Sequence, residues 1–114
     1  MFFLIHCSLS LVFDRAWARM IIRQAGERHR EQANQLGEAA IRRVELLTLR
    51  FQQGLPIRHI ADEWNVDAAV LHREYAKARD EFRTAMREVV RFHHPGTDAE
   101  IDEEVKMVMR LLTP

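Results

Sequence analysis

Few residues in this chain can interrupt a helix. Among its 114 residues are four Gly and three Pro; apart from Gly26 and Pro114 they fall at Gly37, Gly54-Leu55-Pro56 and Pro95-Gly96. Gly and Pro are the strongest punctuators of local structure, so such spacing leaves long uninterrupted segments joined by short turns. The apolar residues recur at three and four positions, and no stretch alternates with the period of a strand. No internal repeat or low-complexity tract is present. The expectation is an all-α protein.

The first helix is expected from Asp14 to Leu36, with Phe13, Trp17, Met20, Ile21 and Ala25 on one face and a polar, solvated half from Glu27 to Asn34. A second runs from about Glu38 to Gln53 on a stripe of Ile41, Val44, Leu47 and Phe51, widened by Leu46 and Leu49. Gly54 suits the C′ position, where a positive φ costs glycine little, and Pro56 suits the first turn of the next helix. That third helix is short, Ile57 to Trp64. Asn65 tolerates the left-handed conformation needed for the turn, and Asp67 is a good N-cap. The fourth helix extends to about Phe92 on Val70, Leu71, Tyr75, Ala78, Phe82, Met86, Val89 and Val90. Thr97 and Glu100 then form a capping box. It opens an acidic helix whose face of Ile101, Val105, Val108, Met109 and Leu112 is expected to pack on the fourth. Three segments result: an apolar segment and linker helix (1–37), a helical domain (38–94) and the acidic helix (95–114).

Residues 57–79 have the anatomy of a helix-turn-helix without a wing. Ile60, Trp64, Val66 and Leu71 are the apolar residues that would pin the two helices, Ala61 is small where they cross, and Asn65 makes the turn. In such motifs the second helix enters the major groove by its N-terminal residues. Ala68, Ala69, His72 and Arg73 would then face base edges, with Arg73 suited to bidentate reading of guanine. Arg58, His59, Lys77 and Arg79 would meet phosphates or neighbouring bases. A helical hairpin within a bundle has the same spacing, so the pattern alone leaves both readings open.

The run Arg42-Arg43-Val44-Glu45-Leu46-Leu47-Thr48-Leu49-Arg50-Phe51, followed by Gly54-Leu55-Pro56-Ile57-Arg58-His59-Ile60-Ala61, resembles region four of the extracytoplasmic-function sigma factors. Tyr75-Ala76-Lys77-Ala78-Arg79 is similar to the Arg-Ala-Arg stretch after the recognition helix in that family. Phe13 to Ala18 looks like the segment that joins regions two and four, so the resemblance covers about residues 13–94. It implies a module that docks on the β-flap of RNA polymerase core and reads the upstream promoter element, within reach of an anti-sigma factor. The residues it implies as DNA-contacting are Arg58, Ala68, Ala69, His72, Arg73 and Lys77. The chain departs from the family where Ala68 and Ala69 offer no side-chain hydrogen bonds and where Asp67 brings a negative charge near the phosphates. Nothing resembles region two, which implies a truncated or stand-alone module.

Charge supplies the main counter-argument. Seventeen basic and seventeen acidic residues give zero formal net charge, without the basic excess usual for a nucleic-acid binder. Residues 41–91 hold ten Lys or Arg against eight acids, whereas residues 95–114 hold two against five. A mildly basic middle predicts DNA binding that is weak alone, and it keeps open a rival reading as a protein-interaction module without DNA binding.

Other functions find less support. Cys7 is the single cysteine, so no internal disulfide or cysteine metal cluster can form. Adjacent His93 and His94 do not easily share a helix face, and no ligand set completes them; a role at a helix end suits them better. No nucleophile with its base, phosphate loop or carboxylate pair stands out, so neither an enzyme nor a cofactor or small-molecule substrate is expected. Met1 to Phe13 is apolar but too short to span a bilayer. Ala16-Trp17-Ala18 looks like a signal cleavage site, yet no Lys or Arg precedes the apolar run and Asp14 and Arg15 interrupt it. An exported or tethered protein is the minor alternative to a cytoplasmic one.

Overall fold

The computed structural model describes residues 8–112, with side chains from Asp14 to Leu111; the apolar segment before residue 8, and the side chains of Phe13 and Leu112, lie outside that description. The fold is all-α. Five helices follow in order: α1 (Ser8–Leu36), α2 (Glu38–Phe51), α3 (Ile57–Trp64), α4 (Ala68–His93) and α5 (Asp98–Leu112), with no strand among the described residues. The joints are those the Gly and Pro positions dictate. Gly37 precedes α2 at φ 114°, and Gly54 takes φ 68° where Leu55 N–H donates back to the Leu49 carbonyl at 3.2 Å. Pro56 is the N-cap of α3 instead of a first-turn residue, and its extended φ −62°, ψ 149° aims the chain into the helix.

Contacts divide the chain into two compact units. One comprises residues 28–83; the other is formed by the chain up to Glu27 and from Thr84 onward. The boundaries run through α1 and α4, not through the joints at Gly37 and Pro95 that punctuate the sequence.

In the 28–83 unit, Leu46, Ile57, Ile60, Ala61 and Leu71 form a buried cluster, with Leu49, Leu55, Trp64, Ala68 and Tyr75 packed against it. Ala61 is the small residue at the centre, as its position in the motif requires. Two expectations need correction here. The buried face of α2 is Ala40, Arg43, Leu46 and Leu47, while Ile41 is exposed and Phe51 is 54% exposed. The polar half of α1 is not uniformly solvated either: His29 is 3% exposed and Ala33 is buried. Both shifts follow from an ionic network described below, which draws polar residues inward.

In the other unit the buried residues are Ala18, Ile21 and Ala25 of α1, Ala85, Met86, Val89 and Val90 of α4, and Ile101, Val105 and Val108 of α5. The acidic helix therefore buries its stripe. It is also tied by charge, since Arg87 pairs with Asp98 and Asp102 and Arg91 with Asp98 at 3.0 Å. The capping box is reciprocal: Glu100 N–H donates to Thr97 Oγ1 at 3.2 Å, and Thr97 N–H donates to Glu100 Oε1 at 2.8 Å. His93 and His94 both meet Trp17 edge-on, at ring distances of 5.4 and 5.1 Å, and His93 Nε2 lies 2.9 Å from Gln24 Oε1.

Candidate nucleic-acid interface

The turn between α3 and α4 is built by two local devices. Asn65 adopts φ 55°, ψ 49°, the only positive φ outside Gly among the described residues. Its N–H donates to the Asp62 carbonyl at 3.3 Å, and the Val66 N–H donates to the Ala61 carbonyl at 3.0 Å. That pair of bonds is a Schellman motif, which satisfies the last carbonyls of α3 and stops it. Two residues later Asp67 Oδ1 accepts from the Ala69 N–H at 2.9 Å, capping α4. Asp67→Ala should destabilise the protein by about 1 kcal/mol, seen as a lower urea midpoint at unchanged m.

Downstream of that cap, helical spacing sorts the side chains. Ala69, Arg73 and Ala76 share the outer face of α4, with His72 and Lys77 beside them; Ala69, His72, Arg73 and Lys77 are all exposed. Arg58 and His59 on α3 are exposed too, as is Arg79. Three of the sequence-selected positions have other engagements. Ala68 shares a face with Leu71 and packs against the core cluster, so it turns away from the outer face. His59 Nε2 pairs with Glu63 one turn on, at 2.6 Å. The Arg79 guanidinium lies over the Tyr75 ring at 5.0 Å. Tyr75 and Trp64 belong to the core margin, and Arg42 covers the Trp64 ring at 4.4 Å. Val66 and Val70, expected inside, are both exposed.

Beneath α4 lies a feature that apolar periodicity misses. Arg43, 8% exposed, donates from Nε and Nη2 to the two oxygens of Glu81 at 3.1 and 2.8 Å, a bidentate pair. Its Nη1 donates to Glu74 Oε1 at 3.3 Å, and His29 Nε2 lies 3.3 Å from Glu81 Oε1. Burial pushes the Glu81 carboxyl up, but the bonds from Arg43 and then His29 outweigh it and hold it below its ordinary value. The Glu81 bond likewise raises Arg43 against the opposing effect of burial. The network joins α4 to α2 and to the second half of α1, so the inner side of the exposed helix is held by directional bonds as well as by apolar contact. The local signal for it was Arg43 itself, three residues from Ala40 and Leu46 and four from Leu47.

No family model, curated protein or solved structure matches this chain.

Proposed function

We propose that this chain recognises promoter DNA as a stand-alone or truncated module similar to region four of a sigma factor, with the first turns of α4 in the major groove. The observation that carries the reading is the capped helix behind a Schellman turn whose outer face exposes His72, Arg73 and Lys77. Arg73 reads base edges, His72 donates or accepts beside it, and Lys77 with Arg58 meets phosphates. Ala69 lets the helix approach closely, and Ala68 contributes to the core instead. The resemblance across residues 13–94 adds the promoter context, with RNA polymerase core and an anti-sigma factor as partners and a cytoplasmic location. The role is recognition, without catalysis or cofactor. No helix among the described residues is long and apolar enough to cross a membrane.

Fluorescence anisotropy with promoter and scrambled duplexes over a salt series tests this. Binding should weaken linearly in log salt. Arg73→Ala should lose about 1–3 kcal/mol of discrimination between duplexes, whereas Lys77→Ala should weaken all duplexes alike and flatten the salt slope by about 1. Equal loss on every duplex for Arg73→Ala would remove it from readout.

A second reading, a helical protein-interaction module, is favoured by one observation. A recess of about 190 Å³ in the 28–83 unit is lined by Arg42, Leu46, Trp64, Val66, Val70 and Leu71, with both valines exposed at its edge. Absence of salt-sensitive DNA binding in the same titration would select that reading.

A further inference from the structure

In the unit formed by the two ends of the chain, the turn between α4 and α5 borders a cavity of about 460 Å³. That volume is within the range of small-molecule sites, about 300–1,000 Å³. Val90, Pro95, Ala99, Ile101 and Met107 give it apolar walls, and Glu104 lines it as well. Glu104 is 6% exposed, and its Oε2 is buried with no hydrogen-bond partner among the described residues. Neighbouring acids are engaged elsewhere: Glu100 in the capping box, Asp98 and Asp102 with Arg87, and Glu103 with Lys106 at 3.6 Å.

A buried carboxylate oxygen without a donor is costly, and the cost is relieved by a cation that brings its own hydrogen bond. Burial pushes the Glu104 carboxyl above its ordinary value; the Trp17 indole partly offsets this, and the negative charge of Asp14, itself buried, adds to it. The interior is thus short of positive charge as well as of a donor. A neutral donor would supply only the second. A bare metal ion would meet one carboxylate among hydrocarbon walls, far from the oxygen-rich shell that hard cations require.

We propose that this cavity binds a small apolar primary amine, its ammonium donating to Glu104 Oε2 and its hydrocarbon body lying against Val90, Pro95, Ile101 and Met107. The proposal is independent of the DNA reading, because the site and α4's exposed N-terminal face share no residue.

Hexylamine, protonated at neutral pH, is the probe, with hexanol and hexanoate as matched controls, titrated into the full chain and followed by amide chemical shifts. Hexylammonium should move the amides around Ala99, Glu104 and Met107 in a saturable manner, and hexanol should bind at least about tenfold more weakly, the loss expected for a charge-assisted hydrogen bond. Glu104→Gln keeps the shape and should weaken hexylammonium by a similar factor. Met107→Trp fills the cavity without touching the carboxyl and should abolish binding, so the test survives if the glutamine variant does not fold. Equal binding of hexanol, undiminished binding to either variant, or shifts confined to other regions would overturn the proposal.

Discussion

Arg43→Ala should lower the stability of the 28–83 unit by about 2–4 kcal/mol, somewhat under the usual cost of removing one partner from a fully buried pair. The discount reflects solvent at the acids: the Glu81 side chain is 23% exposed and that of Glu74 40%. Truncation removes both donors to Glu81 and leaves its carboxylate with His29 alone. Trp64 reports on this unit, so urea unfolding followed by its fluorescence in a Trp17→Phe background isolates the effect. Replacing both ends, with Arg43→Met and Glu81→Gln together, should recover a large part of the loss, since the penalty lies mainly in the stranded charge. The pH dependence carries an independent sign. In the wild type the Glu81 pKa is depressed below its ordinary 4.5, so its contribution is present above that value and is lost as pH falls through the folded-state pKa. Without Arg43, burial dominates and raises the carboxyl, so the contribution reverses and stability is lost as pH rises through the raised value. An unchanged acid limb in Arg43→Ala would mean that the pair contributes nothing to folding.

The network also marks where the sequence stops being legible. Signals that act within a few residues were all readable: the capping box at Thr97 and Glu100, the cap at Asp67, the left-handed Asn65, the positive φ at Gly54. Each is a local backbone requirement met by a particular side chain. The core of the motif was legible for a similar reason, since Ile60, Ala61 and Leu71 satisfy helical period and close approach together. The face of α2 was not. Its most apolar stripe, Ile41, Val44 and Phe51, lost to one containing Arg43, because Arg43 finds acids 31 and 38 residues away, and no local pattern encodes such pairing. His29 entered the interior through the same distant carboxylate. Glu104 is the parallel case on α5, set between Ile101 and Val105 on the face that the period marks as buried. At the candidate interface, exposure of His72, Arg73 and Lys77 follows from the period. Ala68 could have been set apart on the same grounds, because positions 68, 71, 75 and 78 share one side of α4.

Ile60→Ala should produce the other large effect, about 2–5 kcal/mol of destabilisation, the range for truncating a large aliphatic side chain in a core that relaxes only in part. Ile60 is 1% exposed and belongs to the cluster that unites α2, α3 and the start of α4, so the cavity opens where three elements converge. This variant separates scaffold from contact. Ile60 meets no solvent and no DNA in the proposed mode, so its loss acts only through the fraction of molecules that remain folded. Apparent affinity should fall in proportion to that fraction, equally on promoter and scrambled duplexes, and should recover on cooling toward the temperature of maximum stability. Arg73→Ala should do the reverse, leaving the melting curve in place while erasing the difference between duplexes. Were Ile60→Ala to melt like the wild type, the cluster would not be the support of the helix-turn-helix. Were it instead to change discrimination at temperatures where it is fully folded, the angle between α3 and α4 would itself determine which bases Arg73 reaches.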